Sequence, residues 1–264
     1  MEKTLSIVIP AYNEEANIRA TVEDILWAIG DRFHDFELII VDDGSADATG
    51  RIIDELAASN RHIRAEHNPH NMGFGASYKR GVSLARMNYV GIIPGDNEIV
   101  GHSIAAILDL VGSADIIVPF TMNMEVRPYS RRLFSRLYTL IMNMLFTCEL
   151  QYYNGPVIHR RDVLMSTPIN TSGFAFQSTL LVRLVRSGRS FIEVPMYLRP
   201  RLGGRSTALK PKNVVSVCLA IARLVKTIHF DEKRRYAQPV NRILFPGMPA
   251  SVLVQGVKPQ GPDR

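Results

Sequence analysis

An α/β fold, with a mostly parallel central sheet and flanking helices, is what this 264-residue sequence predicts. Three observations point there. Short β-rich runs alternate with helix-periodic segments through about the first 120 residues. The runs are apolar throughout, as strands buried on both faces are. Each run also ends in a polar loop that contains a carboxylate or an amide.

The elements follow in order. "LSIVIP" is a first strand, with a helix expected from about Glu14 to Ile29; "FELIIVD" is a second, with a helix from about Asp47 to Ser59. "IRAEH" leads into the Gly-containing "NMGFGASYKRGVSLA", "YVGIIP" into a helix from about His102 to Val111, and "ADIIVPF" closes the series. From Tyr129 to Phe146 the spacing predicts a helix with Leu133, Leu137, Leu140, Ile141, Met144 and Leu145 on one broad face. Its first turns hold Arg131, Arg132 and Arg136. "GPVIH" and "FIEVP" read as further strands around a helix from about Phe176 to Ser187, and Pro211 to Phe230 reads as a last long helix. Residues 1–230 are expected to form one domain, and 231–264, basic and rich in Pro and Gly, a loose tail. Trp27 and most of the methionines are expected in the core. There is no internal repeat.

Composition removes several classes of function. The two cysteines, Cys148 and Cys218, match no metal-ligand spacing and are too few for a disulfide framework. The seven histidines show no zinc pairing. The opening "MEKTLSIVIP" reads as a strand, not a signal peptide, and the longest apolar runs, such as "VVSVCLAIA", fall short of the ~20 residues that cross a bilayer. Charge is unevenly divided. Residues 1–66 hold 14 acids and 6 bases, net −8, and the remainder holds 11 and 25, net +14. The second part should therefore attract anions: nucleic acid, anionic lipid or a phosphorylated substrate. A scattered solvated surface is the plain alternative.

In parallel sheets ligands sit beyond the carboxyl ends of the strands. "PAYNEE", "VDDGSAD", "HNPHNMGFG" and "PGDNE" should all lie there. Any one of them is ordinary turn chemistry; four in register favour a site. "PAYNEE" stands where a dinucleotide-binding strand would show G-x-G-x-x-G, which argues against a dinucleotide oxidoreductase.

"SIVIPAYNEEANI", "FELIIVDDGSADAT" and "HNMGFGASYKRG" together resemble family 2 glycosyltransferases of the GT-A fold. Over residues 4–230 the order of "RRLFSRLYTLIMNMLF", "YYNGPVIHRRDVL", "GFAFQSTLLVRLVRSG" and "EVPMYLRPRLGGRS" is similar to the dolichyl-phosphate mannosyltransferase and polyprenyl-phosphate branch. The resemblance implies that Pro10, Tyr12, Glu14 and Asp42 hold the base and ribose of a nucleotide sugar, with Asp43 in the same wall. Helix capping near "GSAD" is the other reading of the two aspartates. Gly73 and Lys79 fall among the donor contacts by the same resemblance, and Gln177 lines the donor-sugar or metal pocket. The family's D-x-D, often followed two residues later by Gln, is changed here: Pro94 stands at the first Asp, Asp96 at the second and Glu98 at the Gln. Asp96 and Glu98 are then the ligands expected for Mg²⁺ or Mn²⁺.

For the acceptor the resemblance implies Arg131, Arg132 and Ser135 at a polyprenyl phosphate, and Arg201 and Ser206 in a loop closing near the diphosphate. Two acid-free clusters support a phosphate: Arg127, Arg131, Arg132 and Arg136, and then Arg199, Arg201, Arg205, Lys210 and Lys212. Thr179 and Thr207 replace an acid and a lysine of the family pattern. The expected protein is a glycosyltransferase with catalytic groups Asp96, Arg131, Arg132, Gln177 and Arg201. It should lie peripherally on the cytoplasmic membrane face through amphipathic interface helices, bind no nucleic acid, and could form a homo-oligomer. A soluble glycan hydroxyl as acceptor, and a catalytically weak nucleotide-sugar-binding subunit, are the alternatives.

Overall fold

The first strand sets the architecture. In the computed structural model, which describes residues 2–169, 171, 173–200 and 211–245, β1 (Thr4–Ala11) is buried from Leu5 onward. Parallel neighbours lie on both its sides, β2 (Asp35–Asp42) and β4 (Tyr89–Ile92). A strand covered on both faces needs apolar side chains in both directions, so "LSIVIP" does not alternate. With β3 (Ile63–His67), β5 (Ile116–Thr121), β6 (Ile158–Arg160), β7 (Ser190–Met196) and β8 (Asn241–Ile243), the sheet has eight strands in the order β3-β2-β1-β4-β6-β5-β7-β8. β6 alone among these strands is antiparallel, to both β4 and β5. Its two reversals cancel, so every other strand ends at one edge of the sheet.

Helices cover both faces. α1 (Ile18–Ile29), α2 (Thr49–Ser59) and α4 (Gly101–Asp109) pack on the side of Leu5, Ile7 and Ile9. α3 (Phe74–Leu84), α5 (Tyr129–Phe146), α7 (Phe176–Arg186) and α8 (Pro211–Lys226) pack on the side of Val8, Ile39 and Val41, with the short α6 (Arg161–Met165) beside them. α3 approaches β1 so closely that a Cβ on Gly81 would lie 2.3 Å from Val8 Cγ1, which is why glycine stands there.

Several expectations are corrected. α1 begins at Ile18 because Glu14 to Asn17 form a turn, closed by the Asn17 and Ile18 amides on the Glu14 carbonyl, both at 2.9 Å. α2 begins at Thr49, whose amide donates to Asp47 Oδ1 at 2.9 Å. Trp27 is 56% exposed. The buried stripe of α1 is Ile18, Thr21, Val22, Ile25, Ala28 and Ile29, so position 27 falls off it; the indole instead rests on His102, with ring centroids 4.8 Å apart. Of the described methionines, Met142 and Met196 are in the core, whereas Met72, Met122, Met144 and Met165 are exposed.

The packed chain also runs past residue 230. α8 continues as a π-helical segment, Thr227–Asp231, Tyr236 is buried, and β8 pairs with β7 through a contact reinforced by Arg242 on the buried Glu193. Residues 246–264 of the expected tail lie outside the described residues. The continuous helix 213–231, at 19 residues, is long and apolar enough by length and composition to cross a membrane, where the apolar runs by themselves were too short. Arg223 and Lys226 interrupt the run in sequence but not the helix. It lies on the surface here, with 11% of the segment buried.

Candidate active site

At the common edge, the exits of β1 and β2 are laced into one unit. The Asn13 amide donates to Ser45 Oγ at 3.0 Å and the Ala46 amide returns to Asn13 Oδ1 at 2.9 Å. The Glu14 amide donates to Thr49 Oγ1 at 2.8 Å, and the Ala48 amide donates to Glu15 at 2.9 Å. Gly44, with φ +70°, lets this loop press on the next: a Cβ there would lie 2.6 Å from the His70 backbone. Tyr12 stands exposed above the edge, and Pro10 is buried below it with its carbonyl accepting the Gly95 amide at 3.0 Å. The first and fourth loops are joined by that bond.

The two adjacent aspartates have different surroundings. Asp42 accepts from the Ser45 amide at 3.0 Å and from His67 at 3.1 Å. Asp43, which is 3% exposed, accepts from Asn68 Nδ2 at 2.8 Å and from the Met72 and Gly73 amides at 2.9 and 2.8 Å. An ionised carboxylate is an acceptor only, so three converging donors suit it. Asp43 therefore latches the third loop, and the Gly73 amide is directed at it. Asn68 extends the latch to Ser77 at 2.9 Å and to Arg80 at 3.2 Å.

The fourth loop carries Asp96 and Glu98. Asn97 between them takes a left-handed φ of 52°, and the Glu98 amide donates to Asp96 Oδ1 at 3.3 Å. The buried Glu98 faces Arg127 at 3.5 Å, and Arg127 also donates to Tyr152 Oη at 2.9 Å. Burial lowers the pKa of Arg127, but Tyr152, Glu98 and Asp96 outweigh that and raise it above its usual value, so a fixed cation sits beside the two acids. The chain after β7 straps this loop down. Leu198 bridges Ile99, the Arg199 amide donates to the Glu98 carbonyl at 2.7 Å, and the Arg199 guanidinium reaches Asn97 and, at 2.7 Å, Asp24.

Three comparisons with known proteins bear on this arrangement. The description "Glycosyl transferase family 2" matches residues 6–171, more than half of the chain. The chain belongs to glycosyl transferase family 2. It is similar to the polyprenol monophosphomannose synthase of Mycolicibacterium smegmatis, at 28% identity over 76% of this chain and 78% of that one. It is also similar to the undecaprenyl-phosphate mannosyltransferase of Micrococcus luteus, at 26% identity over 75% and 85%. Among solved structures it resembles glucosyl-3-phosphoglycerate synthase from Mycobacterium tuberculosis in complex with Mg²⁺ and uridine diphosphate, with a TM-score of 0.64 and 20% identity over 84% of this chain and 79% of that one. The fold is GT-A and the chain is a glycosyltransferase.

In this family 2 enzyme the loops of Pro10, Tyr12, Glu14, Asp42, Asp43, Asp96 and Glu98 all meet at one edge. Lys79 lies half-buried on α3. Arg131 and Arg132 are half-buried in the first turn of α5, Arg132 with its guanidinium 5.4 Å over the Tyr129 ring. Gln177 is buried and gives its amide to the Gly155 carbonyl, which ties α7 to the segment before β6. Arg201 and Ser206 lie outside the described residues. The sequence reading named Arg127 only as one of a cluster, and it did not single out His67, Asn68 or Tyr152. His67 and Asn68 stand at the very exit of β3, and that position was the available signal.

Proposed function

We propose that this glycosyltransferase moves a hexose, with inversion, from a UDP- or GDP-sugar to a polyprenyl phosphate at the cytoplasmic face of a membrane. α5 is the observation that carries the reading. Arg131 and Arg132 open the helix, and the apolar side chains that follow face water: Leu133 is 54% exposed, Leu137 49%, Leu140 55% and Met144 72%. Guanidinium groups at the head of a bare apolar strip suit a phosphate with a hydrocarbon tail. The two relatives named for polyprenyl and undecaprenyl carriers support the same acceptor.

The residues fit a divalent metal. Asp96 and Glu98 are hard oxygen donors at alternate positions of one loop, the kind of ligand Mg²⁺ takes when it keeps water and phosphate in its shell. Asp96, with Glu98 beside it, would hold Mg²⁺ or Mn²⁺, which when bound offsets the charge of a departing diphosphate. Arg127 balances one of the two acids, which matters because Pro94 removes a third. The acceptor phosphate, largely dianionic near neutrality because its second pKa is about 6, needs no strong base. Its oxygen forms the new bond to the anomeric carbon as the bond to the nucleoside diphosphate breaks and the electron pair leaves with the diphosphate. Arg131 and Arg132 hold and orient that oxygen.

The test is incubation with Mn²⁺, a panel of labelled nucleotide sugars and a membrane lipid extract. Label entering the organic phase is expected. Label confined to water-soluble products would point to a soluble hydroxyl acceptor, and nucleotide-sugar binding without transfer to a binding subunit.

A further inference from the structure

Asp42 is joined to a second carboxylate through one imidazole. His67, the last residue of β3, places Nδ1 3.1 Å from Asp42 Oδ2 and Nε2 3.0 Å from Asp54 Oδ1 on α2. A neutral imidazole has one N–H, and a carboxylate only accepts. Both contacts are satisfied together only by the imidazolium. Burial works against its charge, but the hydrogen bonds and charges of Asp42 and Asp54 outweigh burial, and the His67 pKa stands above the ordinary 6.5. Among the described residues no other charged group is turned toward the ring. Glu66 is turned to Arg64 and to Arg80 of α3, and Glu55 of α2 to Arg19 and Arg51. Gly50 leaves room for the pair: a Cβ there would lie 3.1 Å from Asp42 Oδ2 and 3.7 Å from the imidazole.

The proposal rests on the reading that Asp42 contacts the donor nucleoside. We propose that His67 is a positioning residue of the nucleoside site, whose imidazolium, anchored by Asp54, fixes the Asp42 carboxylate for a ribose hydroxyl or a base N–H. Ser45 fixes Oδ1 and His67 fixes Oδ2, so the plane of the carboxylate is set from both sides. Each oxygen still has a second lone pair to offer a nucleoside. Loss of the ring proton leaves one N–H for two carboxylates, so the charged bridge that ties Asp42 to Asp54 is broken. Donor affinity should then fall as pH rises through the His67 pKa, while the strand-edge backbone stays in place. Asp54 tunes that midpoint from a distance, because it touches the ring and not Asp42.

Calorimetric titration of the full chain with UDP and with GDP, each in Mg²⁺ from pH 5.5 to 9, tests this. In the unmodified protein, affinity for the preferred nucleotide should drop by roughly tenfold across the range, the size of one charge-assisted hydrogen bond. His67→Asn, which keeps a neutral N–H for Asp42, should lose this drop and keep only the pH dependence of the nucleotide's own terminal phosphate. Asp54→Asn should move the midpoint to lower pH with low-pH affinity retained, and the ring resonances of His67 should titrate at the same shifted pH. A profile in His67→Asn or Asp54→Asn identical to that of the unmodified protein would overturn the proposal. Asp42→Ala separates the two levels. If that change leaves affinity intact, the nucleoside reading fails and the proposal with it; if it abolishes binding while the His67 and Asp54 variants change nothing, only the proposal fails.

Discussion

At the scale of single residues, the two aspartates of "VDDGSAD" look alike in sequence and are not alike in the molecule. The place of both at a strand exit was legible from the sequence. That Asp43 receives three donors from residues 25 to 30 positions away was not, because the latch exists only once β2 and β3 are paired. Asp43→Ala leaves those donors without their acceptor and should cost about 2–4 kcal/mol of stability, read as a lower urea midpoint with the slope unchanged. Asp96→Ala should leave stability alone and remove most of the gain in nucleoside diphosphate affinity that Mg²⁺ or Mn²⁺ gives; calorimetry with and without metal decides it. Equal affinity in both conditions for the unmodified protein would rule out the metal role. His67 adds a pH signature to folding. Its pKa is raised on folding, so its contribution is fully present below the unfolded value of about 6.5 and lost as pH rises through the folded value. The stability difference between the unmodified protein and His67→Ala should therefore shrink above neutrality, and a difference that grows with pH would contradict the assignment.

At the scale of elements, β1 to β5 and α5 could be read because each carries its own local signal. "LSIVIP" is apolar without alternation since both faces are covered, and α5 has the expected bounds, Tyr129–Phe146, since its strip repeats at helical spacing. β6 and β8 have three residues each, too few for any period, and their pairing is set by tertiary contact. The start of α1 was displaced by the turn from Glu14 to Asn17, whose first amide is held by Thr49 at the start of α2. The apolar strip of α5 is exposed, so Leu137→Glu with Leu140→Glu should leave thermal stability nearly unchanged and weaken binding to anionic liposomes. Binding that survives the pair intact would remove the membrane role from this helix. Gly81→Ala is the opposite kind of change. It drives a methyl against Val8 between α3 and β1 and should cost about 1–3 kcal/mol.

For the whole molecule, the sheet topology and the charge division serve one arrangement. The first 66 residues, net −8, build the β1 and β2 exits, and the basic remainder supplies α5 and the segment after β7. In the proposed function the carboxylates and loop backbone at the strand edge take the donor and the guanidinium groups at the head of α5 take the acceptor, and Arg127 lies against Glu98 of the fourth loop. This division predicts that the two binding functions separate. Replacing Arg131 and Arg132 together by Ala removes charge-assisted contacts that contribute roughly 1.5–3 kcal/mol each, so transfer of label from a nucleotide sugar to polyprenyl phosphate should fall on the order of a hundredfold or more, with nucleoside diphosphate affinity unchanged. A double variant that still glycosylates the lipid phosphate at the normal rate would contradict the account.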